Sequence, residues 1–340
     1  MPIEKQNLES SARLILDSAM ARFLPKDIDQ VPTTIRRIIQ GFEVVANYQY
    51  VRGLEHIEWL RDQYRQMQSE DHSLPLLFAF NHTGKSEVFR VIEFAINIAG
   101  RADRLFLPVS EDYTDEEIYY TYSKLVETAN AVGIQTFPIR QSYLDRKGIL
   151  IADTVVGKIP NKIREAKIES RGKPLKLLKS IKANFSAGNI FIIATEGKRN
   201  PQGWLMPAEE GAGLAVASLK HLIEEGKVPD AYVVPIGIDV LPKKFLDYRS
   251  QYGMTVGQPL TPLQISEKSS ALAEKYDIPL RHGQPSYSLL SHALMMEIAD
   301  LLLESNRGVY HEGNPYFLEV LQDRIRIGSD SEGRVGLLKI

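Results

Sequence analysis

Apolar positions first recur at helical spacing. Ile35, Ile38, Ile39, Phe42 and Val45 fall three or four residues apart, and Leu54, Ile57 and Leu60 continue the series. With Pro32 at a suitable helix start, residues 1–73 read as a small helical N-terminal domain. The pattern changes at Leu74. Residues 76–80 form a short, wholly apolar run of the kind a buried strand shows, and 105–109, 134–139, 190–194, 232–238 and 254–256 read as further strands. Between them lie helical stretches at 90–99, 175–185 and 211–223, together with one opened by a Thr114/Glu117 capping box. Gly188 suits the end of the second of these helices. Strands alternating with helices predict an α/β fold, a mostly parallel mixed sheet flanked by helices, over residues 74–340. Residues 287–326 read as two helices and 328–340 as a loose tail.

Composition narrows the function classes. Of the 340 residues 44% are hydrophobic, enough for a sizeable core, and the net charge of −2 argues against nucleic acid as a partner. The chain has no cysteine, which removes disulfides, thiolate catalysis and Cys-based zinc sites. The seven histidines are scattered without ligand spacing, so no metal is expected. No apolar run reaches the roughly 18 residues of a membrane-spanning helix, and no signal-type segment opens the chain, so a cytoplasmic location is expected. Segment 141–185 stands apart, with eleven Lys or Arg against four Asp or Glu. It is either a solvated face or a landing site for an anionic membrane, an acidic carrier protein or a phosphate.

Four segments carry candidate chemistry. Asn81-His82-Thr83-Gly84-Lys85-Ser86-Glu87 follows the first apolar strand. At a strand-to-helix turn the Glu87 carboxylate can fold back onto the His82 imidazole, fixing the tautomer of a general base. A histidine beside an acid is, taken alone, commonly structural. Thr195-Glu196-Gly197-Lys198-Arg199-Asn200 follows the strand at 190–194 and sets two adjacent cations on a glycine turn. Arg140 ends the strand at 134–139. Pro235 interrupts the strand at 232–238, which suggests a bulge or a sheet edge near a site. Surface cations and strand punctuation would explain the last three singly.

In order along the chain, these blocks resemble the four motifs of the glycerolipid acyltransferases, the family of glycerol-3-phosphate and 1-acylglycerol-3-phosphate acyltransferases. Gly257-Gln258-Pro259-Leu260 extends the likeness. The stretch Arg199-Asn200-Pro201, Gly203-Trp204 and Pro207-Ala208 is similar to soluble, plastid-type glycerol-3-phosphate acyltransferases, which also carry a helical N-terminal domain. The resemblance implies transfer of a fatty acyl group to glycerol 3-phosphate or lysophosphatidate. The donor would be acyl-CoA or acyl-ACP (acyl carrier protein) as co-substrate, with no cofactor. His82 would be the base and Glu87 its partner. Arg140, Lys198 and Arg199 would hold the acceptor phosphate, Glu196 and Gly197 would shape its pocket, and Pro235 would line the cleft. It also implies a cytoplasmic or stromal protein meeting an anionic membrane surface transiently. Three departures stand out: Glu87 replaces the usual Asp, Thr195 the usual Pro, and Lys198 the usual small residue.

Two rival readings differ in class. Residues 79–86 fit a relaxed phosphate-binding loop of a nucleotide enzyme, with Lys85 as its lysine and Asp239 as the best magnesium partner. The other rival is a catalytically degenerate fold that only binds lipid or carrier.

Overall fold

The computed structural model describes residues 47–70, 72, 74–83, 87–110, 126, 129–131, 133–139, 173–197, 200, 203–241, 251–280, 282–322, 325–329 and 335–339. The bulk of the expected N-terminal domain, the capping-box residues Thr114 and Glu117, and the basic stretch 141–172 lie outside these residues.

A seven-stranded mixed sheet organises the described chain. Its strands are β1 (Asn47–Arg52), β2 (Leu76–Phe80), β3 (Leu105–Ser110), β4 (Gln135–Ile139), β5 (Ile190–Ala194), β6 (Tyr232–Leu241) and β7 (Gln251–Val256). The spatial order is β1-β7-β6-β2-β5-β3-β4, and every neighbouring pair is parallel except β6 with β7. The helices are α1 (Leu54–Ser69), α2 (Glu87–Ala99), α3 (Lys173–Ser186), α4 (Glu210–Glu224), α5 (Pro262–Lys275), α6 (Tyr287–Asp300) and α7 (Phe317–Leu321).

Strand β2 shows why the sheet must be covered on both sides. All five of its residues are buried, as a parallel strand between two helical layers requires. Successive side chains point to opposite faces. Leu76, Phe78 and Phe80 pack with Ile57, Leu60 and Tyr64 of α1 and Val91, Phe94 and Ala95 of α2. Leu77 and Ala79 pack with Ala212, Ala215 and Val216 of α4 and Leu290 and Leu294 of α6. On that second face Phe106 stacks on Phe191 at 4.4 Å and Phe185 of α3 meets both rings edge-on.

Three expectations from the pattern change. Residues 47–52 continue a helical-looking series but form β1, paired parallel with β7. Residues 47–69 thus belong to the sheet and its α1/α2 layer rather than to a separate helical bundle. The reason is long-range: the Tyr50 ring lies over Gly253, where an added Cβ would meet it at 2.0 Å, and its hydroxyl donates to Asp239 Oδ2 at 2.6 Å. Burial and the Asp239 carboxylate push the Tyr50 phenol up. Second, α5 appears where no helix was read, although its Thr261/Gln264 capping box with Pro262 next to it is a local signal. Third, the expected loose tail holds a hairpin, β8 (Ile325–Ser329) with β9 (Val335–Lys339), antiparallel. Among the described residues no helix is long and apolar enough to cross a membrane.

Candidate active site

Strands β2 and β5 lie side by side in parallel, with Phe80 opposite Ala194. Residues two places beyond each strand therefore emerge together at the sheet's carboxyl end, where open α/β sheets place ligands. Those residues are His82 and Glu196.

Helix α2 starts at Glu87, five residues after His82. His82 Nδ1 lies 2.6 Å from Glu87 Oε1. The Glu87 side chain is fully buried, whereas the His82 ring remains 19% exposed and so reachable from outside. With Glu87 as carboxylate, Nδ1–H donates to it and the Nε2 lone pair is left for a substrate proton. A carboxylate in the first turn of a helix also sits favourably in the helix dipole. Glu87, one methylene longer than Asp, thus still brings a carboxylate oxygen to the ring.

Glu196 engages the same histidine by its main chain. The His82 N–H donates to Glu196 Oε2 at 2.8 Å, and the Met206 N–H donates to Oε1 at 2.7 Å. Glu196 is 1% exposed. Burial pushes its carboxyl up to about 8; the two backbone donors pull the other way and the Glu87 charge adds to the rise. Next to it, Thr195 donates to the Phe80 carbonyl from both its N–H, at 2.9 Å, and its hydroxyl, at 3.1 Å. Proline at that position would lack the first donor. Gly197 turns with φ +63°, and a Cβ there would meet Glu209 Cγ at 2.9 Å.

Two asparagines that sequence reading passed over complete the frame. Asn81 imitates a strand residue: its amide donates to the Ile238 carbonyl at 2.9 Å and accepts from the Ile238 N–H at 2.7 Å. Asn200 donates its N–H to the His82 carbonyl at 2.7 Å and its side-chain amide to the Trp204 carbonyl at 2.6 Å. Their position just past strand ends was the available signal. Trp204 also lines an open groove of about 560 Å³ with His311, Asn314 and Tyr316.

Pro235 lies opposite Ala79 inside the sheet, on β6. Its carbonyl accepts from the Gly257 N–H, while Val233 exchanges both bonds with Leu260. Two residue steps of β6 thus face three on the returning chain, a bulge that leaves the proline nitrogen without a required partner. A Cβ on Gly257 would meet Pro235 Cγ at 2.8 Å. Arg140, Lys198 and Arg199 lie outside the described residues, as does Lys85. What can be placed is that β4, which ends just before Arg140, runs parallel to β3, which lies beside β5.

Asp239 is committed elsewhere. Besides the Tyr50 hydroxyl it accepts from the Leu303 N–H at 3.0 Å and the Asn306 amide at 2.7 Å. Among the described residues there is no cluster of three or more potential metal ligands.

No family model matches the chain, and no curated protein does. One matching solved structure is the 1-acyl-sn-glycerophosphate (LPA) acyltransferase PlsC from Thermotoga maritima. It is 12% identical, with 75% of this chain and 79% of that chain covered and a TM-score of 0.37.

Proposed function

We propose that the protein is an acyltransferase that moves a fatty acyl group from a thioester onto a hydroxyl of glycerol 3-phosphate, with lysophosphatidate as the alternative acceptor. The observation that carries this reading is the His82–Glu87 pair, 2.6 Å apart at the carboxyl end of an interior strand, with the ring partly open and the carboxylate buried. The motif order along the chain supports the substrate class.

In the proposed reaction the acceptor hydroxyl gives its proton to His82 Nε2 as its oxygen bonds to the thioester carbon. Glu87 stabilises the imidazolium that forms. The tetrahedral intermediate then breaks its C–S bond, and the leaving thiolate takes the proton from the imidazolium. Base and acid are the same ring, so no covalent acyl-enzyme is required, in keeping with a chain that has no cysteine. Arg140, Lys198 and Arg199 are proposed to hold the acceptor phosphate, as bidentate and point-charge donors do. The nucleotide-enzyme reading is weakened by Asp239, whose carboxylate already accepts from Tyr50, Leu303 and Asn306.

The test is a radiolabelled transfer assay, with acyl-CoA and acyl-ACP each offered against glycerol 3-phosphate and lysophosphatidate. Transfer to one acceptor is expected, and His82→Ala should lower it by at least about 10²-fold with the near-UV circular dichroism unchanged. Full transfer by that variant, or tight Mg-ATP binding lost in Lys85→Ala without any transfer, would sink the reading.

A further inference from the structure

We infer that Glu196 is a positioning residue, a buried carboxyl that ties the main chain of His82 to that of Met206 and so sets where the His82 imidazole stands. The kinetic part of this inference rests on the proposed acyl transfer; the structural part does not.

Both Glu196 oxygens already accept a backbone N–H, one from His82 and one from Met206, and the side chain is 1% exposed. The side chain is closed to solvent and each oxygen is engaged by a main-chain N–H, so Glu196 is placed to hold backbone rather than to meet a substrate hydroxyl or phosphate. Its bonds instead close a frame around one residue. The His82 N–H is held by Glu196, its carbonyl by the Asn200 N–H at 2.7 Å, and its ring by Glu87. Main-chain direction and ring rotation are thereby fixed by separate partners. The far end of the frame is anchored as well. Leu205, next to Met206, donates to the Asn306 carbonyl at 2.9 Å and accepts from the Val309 N–H at 3.2 Å. Gly308 makes that approach possible, since a Cβ there would lie 2.1 Å from the Leu205 carbonyl oxygen. Residues more than two hundred places downstream thus hold His82 through one carboxyl group. A burial-raised pKa at Glu196 agrees with a group enclosed by the frame rather than facing substrate.

Glu196→Gln tests this with little change of volume. The amide has one oxygen for two N–H donors, and its own NH₂ faces the second donor, so one strut of the frame opens. The first readout needs no activity: ring ¹⁵N shifts of His82, assigned by their absence in His82→Gln. The wild-type ring is expected as a single Nδ1–H tautomer paired with Glu87, and Glu196→Gln as a tautomer mixture with the remaining amide spectrum preserved. The second readout is kinetic. The turnover number should fall by about 10²-fold while the acceptor KM stays within about threefold. Should Glu196→Gln fail to fold, Glu196→Asp, a methylene too short to reach both donors, is read in the same two ways. An unchanged His82 tautomer, or a loss confined to acceptor KM, overturns the inference. Absence of acyl transfer in the wild type would remove the proposed function yet leave the ring measurement to decide this point.

Discussion

Two glutamates act on His82 from different sides, and their chemistry predicts different failures. Glu87 meets the ring, so in the proposed reaction Glu87→Gln keeps the shape and deletes the charge that would stabilise an imidazolium. Turnover should drop by about 10²–10⁴-fold, while Glu87→Asp should retain more activity than Glu87→Gln; equal activity of the wild type and Glu87→Gln in the transfer assay would remove the carboxylate from the mechanism. Glu196 meets the main chain, and its signature is in stability. Its carboxyl is raised in the fold from 4.5 to about 8. A group raised on folding contributes stability that is complete below its unfolded value and is lost as pH climbs through its folded value. Its contribution should therefore decline between pH 4.5 and about 8. Melting curves across that window should slope downward in the wild type and more weakly in Glu196→Gln; parallel slopes would show that Glu196 does not titrate there. His82 and Glu87 can be paired from sequence because the turn that joins them is local. The bond from Glu196 to His82 spans 114 residues, and no local pattern announces it.

Elements meet closely where a side chain is missing. Gly213 of α4 faces Tyr287 of α6 so tightly that a Cβ would lie 1.8 Å from the Tyr287 carbonyl oxygen. The Gly213 N–H is free to donate sideways to Ser291 Oγ at 2.7 Å, and that hydroxyl donates in turn to the Glu209 carbonyl at 2.8 Å. Gly213→Ala must push the two helices apart and should cost about 3 kcal/mol in urea unfolding; a loss under about 0.5 kcal/mol would mean the interface is loose. Helix α6 also steadies the loop that carries Met206, because Ala208 donates to the buried Tyr310 hydroxyl at 2.7 Å, itself 2.8 Å from His292 Nδ1. Helical periodicity identifies 211–223 well enough, yet nothing in it marks Gly213 as a contact point. The β1 segment hides in the pattern for a related reason. Its short alternation of Tyr48, Tyr50 and Arg52 follows directly on a helical series, and only pairing with β7 distinguishes the two.

For the whole molecule, the charge distribution makes a separate prediction. Segment 141–185 carries eleven basic against four acidic residues in a chain of net charge −2. As a landing site it should bind vesicles rich in anionic lipid and not neutral ones. Raising the salt from about 0.01 M to about 1 M shortens the screening length from about 30 Å to about 3 Å and should release the protein. Co-sedimentation that ignores salt, or that is equal on neutral vesicles, would assign the segment to an ordinary solvated surface.

By itself the sequence determined the α/β class, the strands β2 and β5 to the residue, and that His82 and Glu196 follow just past those strand ends. Those features follow from local burial and turn chemistry, which act over a few residues. The tertiary structure alone decided the strand order, and with it that β5 adjoins β2 so that Glu196 reaches the main chain of His82. It also decided that β1 joins the sheet's far edge and that Pro235 is tolerated opposite a bulge. Parallel pairing between strands more than a hundred residues apart depends on which faces bury together once the whole chain is packed, and that information is spread over both helical layers rather than written at any one site.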